Sequence, residues 1–214
     1  MEIIRTPDTS NACALTNVLY RLIEHCDKEA GLDTFPKFKE LVNSTYFAQD
    51  RRTVPQTLNE YNCNRVLPCW RDTNWAITLL GMAVLCGHID FVEFLLEKKV
   101  DPSIGFKMTN AAGMTVCDRQ PIYAASANGD LELVKLLLKH NAEVVVISQP
   151  TIANTPLCAA AANGFDDICQ VLIDAGADVN MQGLSNITPL YRESFCDLFF
   201  VTSHLFKILE HPSK

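Results

Sequence analysis

Thr155-Pro156-Leu157-Cys158-Ala159-Ala160-Ala161-Ala162-Asn163-Gly164 is the stretch that decides the fold of this chain. It recurs imperfectly as Thr78-Leu79-Leu80-Gly81-Met82-Ala83-Val84-Leu85-Cys86-Gly87-His88 and as Gln120-Pro121-Ile122-Tyr123-Ala124-Ala125-Ser126-Ala127-Asn128-Gly129-Asp130. Thr188-Pro189-Leu190-Tyr191 opens a fourth copy. Thr155 and Thr188 are 33 residues apart, and Gly129 and Gly164 are 35 apart. A period of this length marks a solenoid, whose helical hairpins bury their apolar faces only against their neighbours.

Each unit reads as two helices. Thr155 is placed to cap the first, and Pro156 follows at a position where its missing N–H costs nothing. Small residues from Ala159 to Ala162 allow close approach of neighbouring helices, and Gly164 ends the helix. A second helix follows with Ile168, Val171, Leu172 and Ile173 at helical spacing. The same pattern appears over Ile89–Leu96 and Leu131–Leu138. Ala175-Gly176-Ala177-Asp178-Val179-Asn180 closes the unit.

Together these residues resemble the ankyrin repeat family, whose repeat carries Thr-Pro-Leu-His, paired Ala, Gly-His, Leu-Leu and Gly-Ala-Asp-Val-Asn. Three copies match well over roughly residues 73–180, and the fourth is weaker. The resemblance implies an all-α solenoid of three to four repeats. No copy keeps the His of Thr-Pro-Leu-His; Gly81, Tyr123, Cys158 and Tyr191 stand there. In the family that imidazole bridges turn and loop, so its loss predicts looser turns. Thr188-Pro189-Leu190-Tyr191-Arg192 is also similar to a repeat opening of IQ-motif ankyrin proteins, but the chain has no IQ segment.

Composition is that of a globular chain: 214 residues, 48% hydrophobic, 20% charged and net −7. The acid excess lies in residues 71–180, with 7 basic and 13 acidic side chains. That balance argues against a nucleic-acid partner, which would need clustered Lys and Arg. Nine cysteines form no C-x-x-C pair; Cys63 and Cys69 are the closest. Neither a zinc site nor a disulfide framework is expected. Met1 to Asn11 lacks an apolar signal region, so a reducing cytoplasm or nucleus is the expected compartment. No run is apolar enough for a membrane span; Leu198 to Leu209 is interrupted by Thr202, Ser203, His204 and Lys207.

Outside the repeats, residues 1–48 read as an N-terminal helical cap or a degenerate repeat, with the cap favoured. Thr9 or Ser10 can start a helix running to about Ala30, stopped by Gly31. A second helix begins near Pro36 and carries Phe38, Leu41, Val42 and Phe47. Residues 49–72, with Arg51-Arg52, read as a loop. Repeats are assigned to 73–105, 115–147 and 150–182, with a degenerate one at 183–206 and a tail at 207–214. From Gly87 to Gly129 is 42 residues, nine beyond the period. The excess falls in 101–119, whose Ile104, Phe106, Met108 and Met114 either fold back on neighbouring turns or meet a partner. Phe195, Phe199, Phe200 and Phe206 make the C-terminal end apolar.

No nucleophile elbow, phosphate loop or metalloprotease motif is present. The resemblance implies a non-catalytic, monomeric module that binds a protein or peptide, without cofactor or metal. Family partners bind in a groove formed by turn tips and first helices. The matching tip positions are Asn74, Trp75, Ile77, Val116, Cys117, Arg119, Thr151, Ile152, Asn154, Leu184, Ser185 and Ile187. The first-helix positions are Leu85, Cys86, Ala127, Asn128, Ala162 and Asn163. Trp75 and Arg119 are of the types that dominate interfaces, although Trp75 packing on Trp70 is an alternative. Two other functions stand beside this one: an adaptor in a ubiquitin-ligase or kinase complex, and an enzyme built on the first 70 residues.

Overall fold

The computed structural model describes residues 12–43, 62–65, 74–109, 115–144 and 155–181. Among them are eight helices: α1 (Ala12–Glu24), α2 (Phe35–Asn43), α3 (Leu79–Leu85), α4 (Ile89–Glu97), α5 (Pro121–Asn128), α6 (Leu131–Lys139), α7 (Pro156–Ala162) and α8 (Asp166–Asp174). They stack in two layers. The inner layer packs α1 on α3, α3 on α5 and α5 on α7; the outer layer packs α2 on α4, α4 on α6 and α6 on α8. This is the all-α repeat solenoid expected from the spacing.

The sequence explains each helical pair. Thr78 and Thr155 cap α3 and α7, their hydroxyls accepting from Gly81 N and Cys158 N at 3.1 Å. Pro121 and Pro156 open α5 and α7 without forfeiting a hydrogen bond. Gly87, Gly129 and Gly164, at φ 71°, 83° and 74°, turn the chain from inner to outer helix. Gly129 has a second reason to lack a side chain: a Cβ there would lie 2.6 Å from the Phe165 ring. Ala124, Ala125, Ala159, Ala160 and Ala161 are all buried where α5 meets α7. Their small size lets the two helices approach closely.

The N-terminal pair joins this pattern. α1 and α2 contact α3 and α4 in the same order as every later pair, which is repeat-like stacking without the repeat's sequence signature. Tyr20 is fully buried and its hydroxyl donates to the Ile77 carbonyl. Phe35 and Phe38 of α2 each stand 4.9 Å, ring to ring, from Phe91 of α4. Lys28 pairs with Asp90, which raises the lysine above its ordinary value. That contribution holds at any pH below the ordinary lysine value and is lost as pH climbs through the raised one.

α1 ends at Glu24, short of the expected Ala30. Asp27 and Leu32 exchange backbone hydrogen bonds of 2.9 and 2.7 Å, and the Asp27 carboxylate accepts from Ala30 N at 2.9 Å. These bonds form a tight turn, with Gly31 at φ 78° inside it. α2 begins at Phe35, where the Thr34 hydroxyl donates to the Leu22 carbonyl and ties the two helices together. The proposed caps Thr9 and Ser10, together with Phe47, Arg51-Arg52, Met114 and everything assigned to 183–214, lie outside the described residues.

The larger departure is a four-stranded antiparallel sheet, in order β1 (Asn62–Arg65), β2 (Asn74–Ile77), β3 (Phe106–Thr109) and β4 (Thr115–Arg119). Part of the segment read as a loop, 62–65, is therefore a strand. The nine extra residues before Gln120 build a β3–β4 hairpin instead of an irregular finger. Of the two readings of 101–119, the backbone supports folding back: β3 pairs with β2 along its whole length. Phe106 is buried opposite Ile77, while Ile104 is half-buried.

Candidate functional site

Hairpin arms lead into the N-terminal ends of the inner helices, and the exposed positions at the C-terminal ends of those helices form a floor. The base of the arms is fastened by Thr78, whose N–H donates to the Gly105 carbonyl at 2.9 Å and whose hydroxyl is shared between the Ile104 and Gly105 carbonyls at 3.0 and 3.1 Å. Gly105 itself is pressed so closely that a Cβ would lie 2.3 Å from the Arg119 carbonyl oxygen. At Gly81 a Cβ would meet the Gly105 carbonyl at 2.9 Å.

This close packing accounts for one missing imidazole. Where the repeat would place His, Gly81 lets the arm's backbone sit directly on the helix. At the next copy Tyr123 takes the place, and the Arg119 guanidinium stacks over its ring at 4.2 Å. At the third, Cys158 is buried. The looser turns expected from losing His are therefore replaced, at Gly81 and Tyr123, by other contacts. Converting Arg119 to Ala should remove a cation–π pair of about 0.5–1 kcal/mol. A matching loss in Tyr123→Leu, non-additive in the double variant, would identify the pair as its source.

Gln120 is the weak point. It stands where Thr caps the other two helices, yet α5 has no side-chain cap. Its Oε1 is buried with no hydrogen-bond partner among the described residues. Gln120→Thr should raise stability by about 1 kcal/mol, by adding a cap and removing a stranded amide oxygen. Chemical denaturation checks this; an unchanged midpoint would mean that Thr fails to reach Tyr123 N.

The expected contact positions that are described fall on the arm strands or at the C-terminal ends of the inner helices. Asn74 and Trp75 are on β2, opposite Thr109 and Met108. Cys117 lies opposite Met108, and Val116 is the extra residue of a bulge in β4. Arg119 is half-buried at the base of β4. Leu85, Cys86, Ala127 and Ala162 are half-buried, while Asn128 and Asn163 are exposed. The pairs Leu85-Cys86, Ala127-Asn128 and Ala162-Asn163 recur at the same place in successive repeats, so they run as a stripe across α3, α5 and α7. Asn163 reinforces the stripe: its Nδ2 donates to Ala159 O at 2.9 Å and to Ala127 O of the previous repeat at 3.3 Å.

Ile77 must be removed from the contact set. It is 3% exposed, packed in the core, and its carbonyl accepts from Tyr20. It anchors the arm instead of lining its tip. Thr151, Ile152, Asn154, Leu184, Ser185 and Ile187 lie outside the described residues, as does Trp70. Tyr123 and Gly105 were missed. The available signals were a stacking-competent Arg at the end of Thr115-Val116-Cys117-Asp118-Arg119 and a glycine placed immediately before Phe106.

A family model for ankyrin repeats, in three copies, matches residues 41–146 and 80–183. The chain belongs to the ankyrin-repeat family. The ankyrin repeat protein FPV014 of Fowlpox virus is 30% identical over 157 residues, covering 64% of this chain and 33% of that protein. The human ankyrin repeat and KH domain-containing protein 1 is 45% identical over 112 residues, 52% of this chain but 4% of that protein. The ubiquitin-protein ligase XBAT32 of Arabidopsis thaliana is 32% identical over 71 residues, 33% of this chain and 14% of the ligase. The chain spans a third or less of the length of these relatives.

The inner helices α3, α5 and α7 share one electrostatic property, which α1, with Arg21 and Glu24, does not. Leu79–Leu85, Pro121–Asn128 and Pro156–Ala162 contain no charged residue. Charge is carried by the outer helices instead, as in Glu132 and Lys135 of α6 or Asp166, Asp167 and Asp174 of α8. No helix among the described residues is long and apolar enough to cross a membrane, and no cluster of metal-binding side chains occurs among them. Cys26, Cys86, Cys158 and Cys169 are thiols outside any disulfide.

Proposed function

We propose that this chain is a non-catalytic binding module that holds a protein or peptide against the floor of its inner helices and the adjoining hairpin arms. Ankyrin repeats generally mediate protein–protein interaction, and that is the coarse basis of the reading. The observation that carries it further is the stripe of half-buried and exposed side chains repeated at one place on α3, α5 and α7. A stack of this kind offers a long surface with many shallow contacts, which suits recognition better than converging catalytic groups.

Ala127→Arg with Ala162→Arg should abolish capture of specific partners in a pull-down while leaving the helical circular dichroism unchanged. Glu132→Arg with Gln170→Arg, on the outer helices, should leave capture intact. If both doubles behaved alike, the floor would not be the binding surface. Recruitment to a ubiquitin-ligase or kinase complex is a narrower form of the same reading. Its specific test is co-purification of a cullin or a kinase with the wild-type chain but not with the floor variant.

A further inference from the structure

We propose that the cleft between the Gly129 and Gly164 turns takes up an arginine side chain of a partner protein, its guanidinium lying on Phe165 and held by Asp166 and Asp167. The cleft has a volume of about 350 Å³ and is lined by Leu131 at the start of α6 and by Phe165, Asp166 and Asp167 at the start of α8. It belongs to the turns into the outer helices, and the proposal does not depend on a ligand lying along the floor.

The chain itself shows what such a cleft accepts. Counted from the turn glycine, Asp90, Glu132 and Asp167 hold the same place in three successive repeats. Asp90 is paired with the Lys28 ammonium, which comes from the preceding turn, and the two line a cleft together with Gly87 and Ile89. Glu132 is paired with Lys135 of its own helix at 3.4 Å. Asp167 and its neighbour Asp166 have no ion pair among the described residues. The elements around them offer no spare cation: α5, α7 and α8 contain no Lys or Arg, Lys135 is held by Glu132, and Lys139 lies at the far end of α6. Asp130 faces the preceding repeat, its Oδ2 standing 4.0 Å from where a Gly87 Cβ would lie.

A second observation points into the same cleft. The Oδ1 of Asp166 is buried and has no hydrogen-bond partner among the described residues. An oxygen left in this way bears its full desolvation cost, which a charged donor would offset. A helix start carries about half a positive charge, and two carboxylates outweigh it, so the cleft attracts a cation. Its walls select guanidinium over the alternatives. A planar fork of donors can reach both carboxylates, which the point charge of an ammonium does less well. Its flat face stacks on an aromatic ring, and Phe165 is a fixed plate, because its tip is wedged where a Gly129 Cβ would lie 2.6 Å from Cζ. The apolar Leu131 and Ile168 suit the methylene stem. A divalent metal ion would need more ligands than the cleft has, since no group of three metal-binding side chains occurs among the described residues.

Amide NMR titration of the full chain with a blocked glycine–arginine–glycine tripeptide tests this, beside its lysine and citrulline analogues. Saturable shifts are expected at Leu131 and Phe165–Ile168, strongest for arginine, weaker for lysine and absent for citrulline, which keeps the shape and loses the charge. Asp166→Asn should weaken arginine binding about tenfold, as loss of a charge-assisted bond. Asp167→Asn and Phe165→Leu should each weaken it about two- to fivefold. Asp174→Asn, at the other end of α8, should leave it unchanged. If Phe165→Leu disturbs the turn, the two aspartate variants still decide. Citrulline binding as well as arginine, insensitivity to both aspartate variants, or no saturable shift at these amides would overturn the site. Lysine matching arginine would sink the guanidinium claim. A dimer in ultracentrifugation that Asp167→Asn dissolves would rule out a foreign partner in favour of an arginine from a second copy of the chain.

Discussion

Phe91→Ala should lower the unfolding free energy by about 3–5 kcal/mol, the largest loss expected from a single truncation here. Phe91 is 1% exposed and touches rings on three sides: Phe35 and Phe38 at 4.9 Å and His88 at 5.5 Å. The cluster joins α2 to α4, so the cavity would open between the N-terminal pair and the remaining stack. In a solenoid, stability is a sum of repeat terms and nearest-neighbour interfaces. The damage should therefore be directional. Amide exchange should quicken first at Leu19–Ile23 and Phe38–Val42, and later at Ala159–Ala161. Uniform acceleration along the chain would mean that the N-terminal pair is not a separable neighbour in the stack.

Gly105→Ala should cost about 2–3 kcal/mol, a large effect for one methyl group. Its Cβ would lie 2.3 Å from the Arg119 carbonyl oxygen, 2.9 Å from Pro121 Cδ and 3.0 Å from Pro121 N. Two of these are backbone atoms and the third belongs to a rigid ring, so no side chain can swing clear. Either β3 lifts from β4 or the Thr78 bonds to the Gly105 carbonyl break. The melting temperature should fall by roughly 4–12 °C. A variant melting within a degree of wild type would show that the hairpin base yields freely.

The repeat was legible because its signals are chemical necessities. Thr at a cap, Pro at a first turn, Ala at a crowded interface and Gly at positive φ survive even in diverged copies. The N-terminal pair carries none of these at the family's spacing, so its repeat-like placement shows only in the contacts of Tyr20, Phe35 and Phe38. The hairpins were visible as excess length but not as strands. Each arm has only four or five residues, too few for alternation to stand out, and β1 is Asn-Cys-Asn-Arg. Ile77 shows the limit of position-by-position transfer. A β-branched residue at the foot of an arm is recruited to the core when an aromatic partner such as Phe106 pairs across from it. The floor positions keep equivalent places in successive repeats because helical phase fixes them.

The central claim, that a partner lies on the inner-helix floor, is tested most directly by hydrogen–deuterium exchange of the chain with and without its captured partner. Protection confined to Leu85–Gly87, Ala127–Gly129, Ala162–Gly164 and the β2–β4 arms is the predicted footprint. Protection falling instead on α4, α6 and α8, with the inner helices unchanged, would contradict it.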